Sequence, residues 1–282
     1  MNLRRYRVAA CSWSLEPESA EHLVSLLSAS RQTSVQLALE PLRDGQWALA
    51  ETRHALAEAQ INVVSGMMSM AGEDYSSIES IARTGGIVPD ETWEANRSAA
   101  ARVAEIAQGL GLGLVTFHAG FVPEPRGGPA YRRVVDRLEA MARIFADCGA
   151  RIGLETGQEP ASRMAELLED LAGTRIGVNF DPANLVLYGS GDPVAALTRL
   201  APSVLQVHIK DALPPVRAGV WGVEVPVGEG AVDWPAFLDA LDQCPVLDTL
   251  VIERESGRHR VADIARAAGM LRVAELVAEQ IP

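Results

Sequence analysis

The chain has 282 residues, with 37 acidic and 25 basic side chains and a net charge of −12. That excess of negative charge argues against a nucleic-acid backbone as partner, and no apolar run approaches the ~20 residues that a membrane span needs. The three cysteines, Cys11, Cys148 and Cys244, are odd in number and far apart; they read as neither a disulfide framework nor a zinc ribbon, and fit a reducing, cytoplasmic setting.

Arg4, Arg5 and Arg7 ahead of Cys11 imitate a lipoprotein signal. Arg7 lies only four residues before Cys11, too close for the apolar core of roughly 7–15 residues that such a signal requires. Residues 8–13 are expected to be an ordinary first strand. Residues 18–30 place Leu23, Leu26 and Leu27 on one helical face. Residues 34–39 read as a second strand, 46–60 as an Ala-rich helix and 61–66 as a third strand. Residues 71–89 form a Gly- and Ser-rich insertion, after which Asp90 or Thr92 can cap a helix running to about Leu110. A fourth strand, 112–117, ends at His118; a Pro/Gly loop over 121–129 leads to a helix over 131–148.

The second half repeats the rhythm more cleanly. Strand 151–154 ends at Glu155 and precedes a helix over 161–171. Strand 175–180 ends at Asp181, where Pro182, lacking an N–H for the ladder, stops it. Helix 193–200 is followed by strand 204–207, which ends at His208, and by a long loop over 212–231. Asp233 is the expected N-cap of a helix over 234–241; strand 247–252 ends at Glu253, and a last helix spans 261–279. Strands alternating with helices imply a parallel sheet, and near-continuous apolar strands imply cover on both faces. The predicted fold class is α/β: one (β/α)8 TIM barrel domain over 1–282. An open doubly wound sheet would need a Gly-rich phosphate loop, which is not evident.

In a barrel the C-terminal strand ends gather on one face. Four consecutive predicted strands end in Glu155, Asp181, His208 and Glu253. Each alone reads as a solvated loop residue; their succession points to a metal. Three carboxylates and an imidazole, with no thiolate, favour Mg2+ or Mn2+ and are compatible with Co2+ or Zn2+. Three like charges so close repel unless a cation lies between them.

Leu154-Glu155-Thr156, Asn179-Phe180-Asp181-Pro182-Ala183-Asn184-Leu185, Val207-His208-Ile209-Lys210-Asp211, Val227-Gly228-Glu229-Gly230 and Val251-Ile252-Glu253 resemble, in order and spacing, the motif series of the sugar phosphate isomerase/epimerase family, the xylose-isomerase-like TIM barrels. Weaker features over 35–39 and at Phe117-His118-Ala119-Gly120 extend the resemblance over nearly the whole chain. It implies one divalent metal held by Glu155, Asp181, His208 and Glu253, and a small carbohydrate substrate. It also implies that Glu155 and Glu253 flank that substrate, one taking the proton beside a carbonyl and the other returning one on the opposite face. Coordination of the substrate oxygens stabilises an enediolate, so carboxylates of ordinary basicity can serve as acid and base.

The family's ketose 3-epimerases carry a histidine where this chain has Asn184. Asparagine can hydrogen-bond a hydroxyl but cannot titrate near neutral pH, which argues against tagatose- or psicose-type epimerisation. The superfamily's DNA-repair endonucleases need more histidines before the Gly-Glu-Gly turn, and residues 221–227 contain none. Lyase or dehydratase chemistry on a cyclitol or sugar acid is the alternative from the same site. A non-catalytic carbohydrate-binding barrel is another.

Around these ligands, Trp13 and Trp221 sit on loops at the expected catalytic face, where aromatic walls suit sugar rings. His118 is expected to contact a substrate hydroxyl or relay protons, unless backbone groups satisfy it. Lys210, the chain's only lysine, faces the same way as His208 by strand alternation; it can bind a substrate oxyanion or pair with Asp211. Arg217, in the long loop, can orient a carboxylate or clamp an anion, or lie in solvent. Glu229, between two glycines, is expected to buttress the site. Met67, Met68 and Met70 read as core or pocket lining, and His22, His54 and His259 as surface. A homo-oligomer is compatible with all of this.

Overall fold

Most barrel staves are short aliphatic runs buried on both faces. β1 (Arg7–Cys11), β2 (Ser34–Ala38), β3 (Asn62–Met67), β4 (Leu114–Phe117), β5 (Arg151–Glu155), β6 (Ile176–Phe180) and β7 (Val204–Ile209) are parallel neighbours in chain order. β8 (Asp211–Leu213) and β9 (Val223–Val225) form an antiparallel pair outside the barrel. β10 (Thr249–Ile252) then pairs with β7 and with β1, Ala10 opposite Ile252, and closes the ring. The predicted barrel is the fold. This computed structural model describes residues 6–278, with side chains to 274; Arg4, Arg5 and the predicted helix end at Glu279 lie outside the described residues.

The helices are α1 (Ala20–Ala29), α2 (Glu40–Arg43), α3 (Leu49–Glu58), α4 (Ile78–Thr84), α5 (Asp90–Leu110), α6 (Pro129–Asp147), α7 (Ala161–Asp170), α8 (Pro182–Tyr188), α9 (Pro193–Leu200), α10 (Trp234–Ala240) and α11 (Arg260–Ala278). α6 shows why they pack outside the strands: Val134, Leu138, Met141 and Phe145 recur every three or four residues and are buried in one stripe. Asp233 caps α10 as expected, accepting from Ala236 N at 3.2 Å. Phe237 of that helix meets Phe180 of β6 at 5.9 Å between ring centroids, in the layer between helices and barrel.

Several local expectations are revised. β1 stops at Cys11 because Ser12 Oγ takes the Ala38 N–H (2.8 Å) and the chain turns into a 3-10 helix over Trp13–Leu15. The insertion over 71–89 contains α4 and is anchored: buried Asn96 accepts from Ala71 N at 2.7 Å, and Arg137 donates to Ile87 O at 2.8 Å. After β6, where Pro182 was expected only to stop the strand, the chain forms α8, which Asp181 caps. The long loop after β7 contains the β8–β9 pair. At the end of β1 and in the insertion, contacts with distant segments decided a stretch whose local propensity was weak.

Candidate metal centre and cavity

Four staves deliver the candidate ligands to one end of the barrel. Glu155 ends β5, Asp181 follows β6, His208 lies within β7 and Glu253 follows β10. These strands are consecutive around the ring, so Glu155 and Glu253 bracket the other two. All four residues are buried, and one ligand atom from each lies within 4.8 Å of all the others. His208 Nδ1 is 3.2 Å from Glu253 Oε2 and 3.7 Å from both Glu155 Oε1 and Asp181 Oδ2.

The other atoms of Asp181, His208 and Glu253 are used elsewhere, and Glu155 Oε1 both faces His208 and accepts a hydrogen bond. Asp181 Oδ1 accepts from Ala183 N (2.8 Å) and Asn184 N (3.0 Å) at the start of α8. His208 Nε2 is 2.8 Å from Gln36 Oε1, and the Gln36 amide donates to Thr116 Oγ1, also at 2.8 Å. With the Gln36 oxygen facing it, Nε2 carries the imidazole proton and Nδ1 offers a lone pair inward; this tautomer is assigned from the hydrogen-bond network. Glu253 Oε1 accepts from Trp13 Nε1 at 2.7 Å, and Glu155 Oε1 from Asn184 Nδ2 at 2.9 Å.

Asp181 Oδ2, His208 Nδ1 and Glu253 Oε2 are buried without a well-aligned hydrogen bond, and the one cation near the two carboxylates is Lys210, 2.9 Å from Glu253 Oε2 and 3.8 Å from Asp181 Oδ2. Buried polar atoms rarely stay unsatisfied, and these three converge. Burial pushes the Asp181 carboxyl upward, and Lys210 offsets this only in part. Burial acts on Glu253 as well, but nearby Lys210 and His208 hold its carboxyl well below the usual range. A divalent cation fits this set: shared bonds of about 2.0–2.2 Å place ligand atoms roughly 3–4 Å apart.

Lys210 Nζ lies 2.9 Å from Glu253 Oε2, 3.8 Å from Asp181 Oδ2 and 2.5 Å from Glu255 Oε2. The expected pairing with Asp211 is not made. Asp211 instead accepts from Ala212 N, Gly228 N, Gly230 N, Val232 N and Trp234 Nε1 at 2.8–3.2 Å, folding the chain after β9 around one carboxylate. Glu229 turns outward to Arg266 (2.8 Å) and does not buttress the site.

Above the centre opens a cavity of about 430 Å3. Glu155, Glu253, Lys210, Asn184 and His118 reach it, whereas Asp181 and His208 contribute no cavity surface. Trp13, Met67, Met68, Tyr75, Tyr188 and Trp221 form apolar wall, with Tyr188 edge-on to Trp221 at 4.7 Å. His118 Nε2 is 3.4 Å from Glu155 Oε1, and its Nδ1 is buried without a partner. Asn184 packs against Gly157, where a Cβ would lie 2.3 Å from the Asn184 Cβ and φ is +141°. Arg217 is the candidate left outside: it is exposed on the turn between β8 and β9 and lines no part of the cavity.

Sequence reading passed over Gln36, Asn179 and Gln206, which form a polar layer within the barrel. Gln206 Nε2 donates to Asn179 Oδ1 (3.1 Å), and Asn179 Nδ2 approaches His208 Nε2 (3.1 Å) and Glu155 Oε2 (3.4 Å). Their signal was an uncharged amide inside a stave otherwise made of aliphatics. Glu73, Tyr75 and Glu255, on loops, and Tyr188, at the end of the short α8, were also missed, because such positions carry no such pattern.

A solved structure of a xylose isomerase domain protein from Planctomyces limnophilus is 31% identical, covers 95% of this chain and 96% of its own, and superposes with a TM-score of 0.84. L-ribulose 3-epimerase, at 14% identity, shares the fold, with a TM-score of 0.74 over 98% of this chain and 96% of its own. The rhizopine catabolism protein MocC of Rhizobium meliloti is 28% identical over 163 residues, 49% of this chain. The match spans about half (50%) of that curated relative's length. The family profile described as xylose isomerase-like TIM barrel matches residues 33–274, and the chain belongs to that family.

Proposed function

We propose that the protein is a divalent-metal-dependent isomerase or epimerase of a sugar or sugar derivative. The observation that carries this reading is the paired placement of Glu155 and Glu253. They bracket the metal centre from opposite ends of a four-strand arc, and both open onto the same cavity. Each has one oxygen held by a neutral N–H donor, Asn184 for Glu155 and Trp13 for Glu253. A substrate carbon between them can lose a proton to one carboxylate and regain one from the other.

Glu155, Asp181, His208 and Glu253 would hold the ion, with Mg2+ or Mn2+ best suited to the donors and Co2+ or Zn2+ compatible. When bound, it supplies positive charge beside the substrate oxygens, which acidifies the adjacent C–H. Lys210 presents an ammonium to the same oxygens. The aromatic and methionine walls exclude water and offer flat faces to a sugar ring. Asp181, with Oδ1 committed to α8, acts as an anchor and moves no proton.

A dehydratase reading of the same centre is favoured by one feature. His118 stands beside Glu155 in the cavity and adds a third proton carrier, suited to a departing hydroxyl. Turnover in D2O separates the two. Isomerisation or epimerisation places deuterium on carbon with no other change of mass, and dehydration loses water. If purified protein binds no divalent ion, and Glu155→Gln and Glu253→Gln leave turnover unchanged, both readings fail.

A further inference from the structure

The cavity lining is unusually one-sided in charge. Glu40, Glu73, Glu155, Glu253 and Glu255 line it, and Lys210 is the one lysine or arginine that does, among the described residues. That ammonium already meets Glu253, Glu255 and Asp181. With Asp181 beneath, six carboxylates face Lys210, and Arg43 outside the cavity approaches Glu40 at 3.9 Å, so a divalent ion leaves two negative charges uncompensated.

A second observation is independent of that count. Barrels that bind phosphate esters do so with backbone N–H groups, in the loops after late strands and at helix starts. Here the chain's own carboxylates occupy four such sets of groups. Asp211 Oδ2 holds Gly228 N (2.9 Å) and Gly230 N (3.0 Å), and it approaches so closely that a Cβ on Gly230 would lie 2.0 Å from Oδ1. Glu224 takes Glu255 N (2.9 Å) and Ser256 N (3.4 Å) just after β10. Glu73 takes Gly86 N (3.0 Å) and Met70 N (3.2 Å) between β3 and β4. Asp181 takes the first N–H groups of α8.

We infer that the substrate carries neither phosphate nor carboxylate: the cavity takes an uncharged polyol, bound through its hydroxyls and through ring faces against Trp13, Tyr188 and Trp221. This rests on the isomerase reading for the chemistry performed there. An anionic substituent would meet like charge at the walls and find these four backbone cradles already filled by carboxylates.

The test uses the full chain loaded with Mn2+, in D2O, and two matched pairs: D-fructose with D-fructose 6-phosphate, and D-xylulose with D-xylulose 5-phosphate. Deuterium at carbon, followed by NMR, gives kcat/KM. In any pair that reacts, the neutral ketose is expected to exceed its ester by at least about tenfold. Glu40→Gln combined with Glu255→Gln should narrow that gap several-fold. An ester that equals or exceeds its neutral partner overturns the inference and leaves the isomerase reading standing. Exchange in neither pair counts against the isomerase reading for ketoses, and calorimetry with inorganic sulfate then decides the charge question. A Kd at or below about 1 mM overturns the inference, and no binding up to about 10 mM supports it.

Discussion

Lys210 Nζ sits 2.9 Å from Glu253 Oε2, the same oxygen that faces His208 Nδ1 at 3.2 Å. The lysine and the proposed divalent ion would therefore act on one carboxylate oxygen. Lys210→Met should move two measurements in opposite directions. Chelator-treated protein should lose about 2–4 kcal/mol of stability in denaturant titration, because buried carboxylates lose their partner. Calorimetric Mn2+ affinity should rise several-fold, because a competing positive charge is gone. Equal or parallel changes would show that Lys210 does not share the ligand oxygens.

Trp13 is more than an aromatic wall, since its indole N–H fixes Glu253 Oε1. Trp13→Phe keeps an aromatic ring and removes the donor. It should lower kcat by about 10–100-fold, as loss of an orienting hydrogen bond next to a metal ligand does. Asn184→Ala should act similarly through Glu155. A change confined to KM would assign both residues to substrate contact instead.

Asp211 gathers donors from Ala212, Gly228, Gly230, Val232 and Trp234, all in the connection that follows it. Asp211→Ala strands buried N–H groups and should cost about 3–5 kcal/mol. Limited proteolysis should then cut between residues 212 and 231, sites protected in the parent. Loss of global stability without new cleavage there would contradict the local role given to this carboxylate.

Burial pushes the Glu159 carboxyl from an ordinary 4.5 up to about 7, and the hydrogen bond from Val122 N (2.6 Å) offsets this only partly. The folded state thus prefers the protonated form. The associated stability is fully present below about pH 4.5 and is lost as pH rises through about 7. Because Glu159 is only partly buried, the loss should be about 1–2 kcal/mol, less than the full shift implies. Glu159→Gln keeps the acceptor and removes the titration. The stability difference between variant and parent should therefore grow in the variant's favour from pH 5 to pH 8; a constant difference would rule out this titration.

The barrel and its four candidate ligands were legible because both follow from local chemistry repeated along the chain. Aliphatic staves need cover on both faces, and a charged or imidazole side chain at the end of each of four successive staves brings like charges together in a way that calls for a cation. Asp181 stood out because Pro182 ends the stave beside it, and Asn184 because it departs from a motif. What the tertiary structure decided was pairing. Lys210 was expected to meet Asp211 or a substrate oxyanion, yet it meets Glu253, Asp181 and Glu255, while Asp211 faces the loop it organises. Trp13 reaches a glutamate 240 residues away, and Arg217 is carried into solvent by a hairpin that the sequence shows only as loop. Periodicity encodes which residues are buried and at which end of the barrel they sit. Which buried charge meets which donor depends on closing the ring between β1 and β10, a contact between chain segments more than two hundred residues apart.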